Sequence, residues 1–208
     1  MKRIIAAGFL AVLFVSLVSS QTGEHYGGRF LKRIEYNKMM GEFNLDSKGY
    51  VEKLFFGDFN APVEFLYWPA FEGASGFRII RDSLNTSYIL EVKHILNYKD
   101  AAEKANEKYP YSNPKYFEEI IKLYKVETRS YPISNRFAEK IYEEMVSTIN
   151  NFKAKSVSML VNDGYSVTFR TVVEDEVWTL NIHMPQGDAL KMADLCRQIM
   201  ADADADKF

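Results

Sequence analysis

Two neighbouring runs near the C-terminus, Tyr165–Val173 (YSVTFRTVV) and Val177–His183 (VWTLNIH), alternate apolar and polar residues. That alternation predicts a half-buried antiparallel hairpin. Side chains of a strand point to opposite faces in turn. Tyr165, Val167, Phe169 and Thr171 therefore share one face, and Trp178, Leu180 and Ile182 share one face of the second run. The two sets meet only if paired positions sum to an odd number, because a slip of one residue flips a whole face. The loop then has an even length, Glu174-Asp175 or Glu174–Val177, and its lack of glycine favours the longer form.

The hairpin sits between two helical stripes. Phe137, Ile141, Met145, Thr148, Ile149 and Phe152 follow the candidate cap Ser134; Ala189, Met192, Ala193, Cys196, Ile199 and Met200 follow the break at Pro185–Gly187. The hairpin's other face carries Ser166, Thr168, Arg170, Thr179, Asn181 and His183 and is wholly polar. The habit of antiparallel sheets makes it a solvated face. Read for function, Thr168, Arg170, Thr179, Asn181 and His183 form a candidate ligand-binding face of hydroxyls, an amide, a guanidinium and an imidazole.

Upstream, Val63–Trp68 (VEFLYW), Phe77–Arg81 (FRIIR) and Ser87–Ile95 (SYILEVKHI) predict an antiparallel meander, with Phe71–Gly76 and Asp82–Thr86 as loops. Val51–Phe56 reads as a further strand. Helices are predicted after Asn97, as a cap, and after Asn113, with Pro114 in the first turn. Val126–Ile133 (VETRSYPI) reads as a strand that Pro132 places at a sheet edge or ends. Residues 21–30 read as a flexible arm and 202–208 as a frayed tail.

The first twenty residues read as a secretory signal peptide. Lys2 and Arg3 precede the apolar run Ile4–Val18, and Val18-Ser19-Ser20 suits cleavage before Gln21. The run is shorter than the ~20 residues of a spanning helix. No cysteine follows it to carry a lipid anchor, and no second stretch is long enough to span a membrane. Cleavage lowers Lys+Arg from 26 to 24 against 28 Asp+Glu, for a net charge of −4. Such a surface has no general attraction for nucleic acid. The single cysteine, Cys196, excludes an internal disulfide, which fits a bacterial periplasm or exterior. The 208 residues, 47% hydrophobic, suit one domain with a substantial core, residues 21–208.

Few chemistries find their residues here. His25, His94 and His183 lie far apart, without the spacing of a metal site, and no cofactor is implied. His94 alternates with core residues and reads as a hydrogen-bonded histidine at the core rim. Cys196 lies in an apolar stripe and reads as a packed thiol. Gly73-Ala74-Ser75-Gly76 lacks the final glycine of a nucleophile elbow, since Phe77 stands there. Asp202, Asp204 and Asp206 lack the glycine and glutamate of a calcium loop. No phosphate loop or dinucleotide fingerprint is present. Trp68, in Phe65–Phe71 (FLYWPAF), is a candidate ring for holding a ligand, with rim packing as its ordinary role.

Gly76–Ile95, Phe137–Lys155 and Asp163–Gly187 resemble stretches of uncharacterised secreted proteins from Bacteroides-type gut anaerobes. The resemblance implies an exported, Gram-negative setting; it carries no activity and no catalytic residue. The expectation is one α+β domain, an antiparallel β-sheet with helices packed on one face. Its expected function is that of a non-enzymatic binding or accessory protein of the cell envelope, whose partner is a ligand or an envelope protein of unknown identity. One alternative is a small hydrolase assembled around His183 and Arg170. Another is an inhibitor or structural partner that pairs through a sheet edge such as Val126–Ile133.

Overall fold

The computed structural model describes residues 25–26, 29–35, 49, 51–57, 61–82, 87–152, 164–173 and 176–208. The expected signal peptide lies outside the described residues. The hairpin forms from β7 (Tyr165–Val173) and β8 (Glu176–His183). Its pairs run from Ser166↔His183 to Val173↔Glu176, so positions sum to an odd number as the alternation requires. The longer loop is not formed. Pairing Val172 with Val177 and Val173 with Glu176 keeps backbone groups in the ladder that a four-residue loop would release.

The meander is β3 (Val63–Pro69), β4 (Ser75–Arg81) and β5 (Tyr88–Ile95), and β6 (Val126–Ile133) pairs with β5. β4 begins at Ser75, within the stretch expected to be a loop. Gly76 pairs with Leu66, and a Cβ there would meet the Phe65 carbonyl oxygen at 2.4 Å. That glycine marks a close backbone approach inside a strand. β3 joins the hairpin to the meander by pairing with both β7 and β4. The six strands from β8 to β6 are antiparallel, and β6 is an edge, as Pro132 suggested. β2 (Arg29–Glu35) adds to β8 in parallel, and β1 (His25–Tyr26) pairs with β2. Part of the expected arm is therefore strand, because it completes the ladder that β8 would otherwise leave open.

Among the described residues four helices of ten or more residues accompany the sheet: α2 (Tyr98–Lys108), α3 (Pro114–Leu123), α4 (Asn135–Asn150) and α5 (Asp188–Asp204). Ser134 Oγ caps α4 by accepting from Phe137 N–H, and Asn113 Oδ1 caps α3 by accepting from Lys115 N–H. Asn97 does not cap α2. Its side chain donates to the Leu123 carbonyl and accepts from Lys125 N–H, so it ties the end of α3 to the start of β6. Residues 51–56, expected as a strand, are helical and are termed α1. Val51 and Phe55 are both buried, four residues apart as on one helical face; six residues are too few for periodicity to decide.

α4 and α5 pack on one face of the sheet. Phe65, Phe77, Phe169 and Leu180 from the strands meet Ile141, Met145, Ile149, Met192, Ala193 and Cys196 from the helices. Phe65 pairs with both Phe77 and Phe169, and its ring centre lies 5.7 and 5.6 Å from theirs. Each such side chain, fully buried, contributes ~1.5–3 kcal/mol. The tail expected to fray is docked instead. Tyr131 Oη donates to the Ala203 carbonyl at 2.7 Å, and Phe208 packs on Phe137 at 5.5 Å between ring centres. An aromatic last residue and a tyrosine on β6 hold what the Asp-Ala alternation alone could not. Among the described residues no helix is long and apolar enough to cross a membrane.

Phe169 lies in the ring row beside Phe65, with no exposed surface. Phe169→Ala is expected to lower the stability of the fold by about 3–5 kcal/mol in urea denaturation. A loss below ~1 kcal/mol would show that the row is not the centre of the core.

Candidate functional site

The second face of the sheet carries a row of alternating charge. Register places Arg170 on β7 opposite Glu64 on β3, Glu64 opposite Arg78 on β4, and Arg78 opposite Glu91 on β5. Unlike charges directly opposite one another stabilise a sheet; like charges do the reverse. Arg170 Nε donates to Glu64 Oε2 at 2.7 Å, and Nη2 lies 2.5 Å from the same oxygen. Arg78 Nε donates to Glu91 Oε2 at 2.6 Å, and Lys93 Nζ is 3.2 Å away from it.

The same cations hold α1 on the sheet. Arg78 Nη1 donates to the Phe56 carbonyl at 3.0 Å, and Lys93 Nζ donates to the Phe55 carbonyl. These are the last carbonyls of the helix, where positive charge is favoured. Gly57, at φ 61°, takes the left-handed conformation that ends the helix. Arg170 Nη1 reaches Glu52 Oε2 at 3.4 Å, and the guanidinium lies 5.9 Å from the centre of the Phe56 ring.

Burial sets the electrostatics. Glu64 is 1% exposed. Burial pushes its carboxyl up to about 7, against the opposing pull of the Arg170 charge and hydrogen bond. Burial also works against the Glu91 carboxylate, but there the hydrogen bond and charge of Arg78, helped by Lys93, win and hold it below its ordinary value. The difference is one of depth, since Glu91 keeps some contact with water.

All six residues singled out from the sequence share this face. They fall in three adjacent rows: Glu64–Arg170–Thr179, Leu66–Thr168–Asn181 and Trp68–Ser166–His183. The face is not wholly solvated, as the alternation rule would have it: Ser166, Asn181 and His183 keep partial exposure, and the rest is covered. Thr168 and Thr179 are buried and the Arg170 side chain is only 14% exposed. α1 lies over the Arg170 end, and a short helix of that kind left no signal in the strand pattern. Thr168 Oγ1 donates to Asn181 Oδ1, and Ser166 Oγ lies 3.1 Å from His183 Nδ1. Trp68 is half-buried against the cluster of Leu66, Ala74, Phe55 and Ile95, which is rim packing.

Two atoms of the first row have no hydrogen-bond partner among the described residues although both are buried: Glu64 Oε1 and Thr179 Oγ1. They belong to the residues on either side of Arg170. His94 stands on the opposite face, with Nε2 3.1 Å from Asp204 Oδ1 at the end of α5. Cys196 is fully buried, and burial raises its thiol well above the ordinary value. Among the described residues no group of three His, Cys, Asp or Glu could hold a metal ion.

Sequence reasoning missed Glu64, Glu52, Arg78, Glu91 and Lys93 as members of this face. The signal was present: VEFLYW and FRIIR each hold a charge inside an apolar run, and SYILEVKHI holds two. Only the pairing of three strands lines those charges up with Arg170.

Two measurements test the row. Arg170→Ala leaves Glu64 buried without its partner and is expected to cost about 3–5 kcal/mol in chemical denaturation; replacing both residues by apolar ones of similar size should recover most of it. The second concerns pH. Glu64 binds its proton more tightly in the folded chain than in the unfolded one, so the folded state takes up protons between about 4.5 and about 7. Stability tied to this group is full below that window and is lost as pH rises through about 7. Measured against Glu64→Gln, the natural chain should lose stability across the window; a difference that stays flat with pH counts against a raised carboxyl.

Comparison of the chain with protein-family models, with curated proteins and with solved structures gives no match.

Proposed function

We propose that the protein is an exported, non-enzymatic binding or accessory protein of the cell envelope, and that it holds a small polar ligand against the face formed by β3, β7 and β8. One observation carries this reading: Glu64 Oε1 and Thr179 Oγ1, both buried in one row and without a partner among the described residues. Buried polar atoms are nearly always hydrogen-bonded, so two orphans around one arginine favour a missing donor and acceptor. The export pattern of residues 1–20 supplies the setting.

A second reading, a small hydrolase around His183 and Arg170, is favoured by the 3.1 Å contact of Ser166 Oγ with His183 Nδ1. Arg170 lies four residues from Ser166 along β7, roughly 13 Å at the rise of a strand. The hydrolase would therefore rely on Ser166 and His183 without the arginine.

A thermal-shift screen of the chain from Gln21 against glycans, peptides and divalent metals separates the readings. A ligand of the folded state raises the melting temperature. Thr179→Val, which removes the orphan hydroxyl and keeps the shape, should abolish the shift. A hit unaffected by Thr179→Val, or no hit at all, overturns the site. Covalent labelling of Ser166 by a fluorophosphonate would support the hydrolase instead.

A further inference from the structure

We infer that β6 is a self-pairing edge, through which two copies of the chain join their sheets antiparallel about a two-fold axis at Thr128. This goes beyond the ligand reading and does not depend on it. Leu96 N–H donates to the Lys125 carbonyl, just beyond the Ile95↔Val126 pair. In an antiparallel ladder hydrogen-bonded and non-hydrogen-bonded pairs alternate. Glu127, Arg129, Tyr131 and Ile133 therefore bond to β5, and Val126, Thr128, Ser130 and Pro132 present their backbone groups to the free edge. Pro132 agrees, since a residue without an N–H belongs on that side.

Natural edges are blunted by lysine, proline or a bulge. β6 contains no lysine, its register with β5 is unbroken, and its one proline stands next to its end. Thr128 and Ser130 are exposed, and no other strand among the described residues lies outside β6. That leaves the N–H and C=O groups of Val126, Thr128 and Ser130 as a usable ladder.

Charge then selects the register and the partner. A two-fold axis at Thr128 sets Thr128 opposite Thr128 of the partner subunit and Val126 opposite Ser130 of the partner subunit. It also sets Glu127 opposite Arg129 of the partner subunit, and the reverse. Unlike charges meet twice. An axis one residue later sets Arg129 opposite Arg129 of the partner subunit and sets Pro132, which has no N–H to give, against the carbonyl of Val126 of the partner subunit. An axis one residue earlier opposes Glu127 to itself. Like charges directly opposite destabilise a strand pair. In the favoured register Pro132 falls opposite Tyr124 of the partner subunit. Tyr124 N–H already donates to the Ile121 carbonyl at the end of α3, so the ladder ends there without an orphan. Glu127 and Arg129 are partly exposed, 3.2 Å apart within one chain, and free to form the larger alternating group.

Sedimentation equilibrium of the chain from Gln21 over a micromolar to millimolar range tests this. The natural chain should dimerise. Thr128→Pro deletes the N–H at the axis without touching a bond to β5, and should give a monomer. Glu127→Arg should weaken the dimer about tenfold or more, and Glu127→Arg combined with Arg129→Glu should restore it, because unlike charges again face one another. If Thr128→Pro fails to fold, the charge pair decides alone. A natural chain that stays monomeric, or a dimer unmoved by Glu127→Arg, overturns the inference.

Discussion

The ion pair of Glu64 with Arg170 is the constraint around which the second face of the sheet is built. Two charges taken out of water are expensive, and their mutual attraction repays the expense only with good geometry. Here Arg170 offers two nitrogens to one carboxylate oxygen and turns a third toward Glu52. The carboxyl still ends near 7, so desolvation is not fully offset. The remaining charges of the row continue the alternation to β5 and carry α1 by its C-terminal carbonyls. Loss of Arg170 would thus disturb both a carboxylate and the helix above it.

The charged row and the aromatic row are two sides of the same residues' neighbours. Glu64 precedes Phe65, Arg78 follows Phe77, and Arg170 follows Phe169. A one-residue slip of any of these strands would put a charge into the core beneath α4 and α5 and a phenylalanine among the arginines. Register is therefore specified from both faces at once. This suits a sheet in which β3 must pair correctly both with β4, the next strand, and with β7 from a distant part of the chain.

The proposed ligand site and the proposed self-pairing edge are far apart on the sheet. The orphaned polar atoms lie around β3, β7 and β8, whereas the free edge is β6. From β3 to β6 is three strand spacings, roughly 14 Å. A ligand in the first region and a second chain on the second need share no side chain. Pairing at β6 would extend the sheet without covering the rows that contain His183 and Asn181.

The sequence by itself determined the α+β class, the hairpin and its parity, the meander, the two long amphipathic helices and, through Pro132, that β6 is an edge strand or ends there. Each rests on a local period or on one residue's covalent geometry, such as the missing N–H of Pro132. It also placed Thr168, Arg170, Thr179, Asn181 and His183 together, because alternation puts them on one face. Tertiary structure alone decided whether that face was wet. The helicity of residues 51–56 has no local signature, and the charges visible inside the strand runs do not by themselves say that they form one row. A six-residue run is ambiguous, and Glu64, Arg78 and Glu91 become neighbours only when three strands pair. The docked tail follows the same logic: Phe208 is held by Tyr131 and Phe137, partners that no spacing along the chain could name.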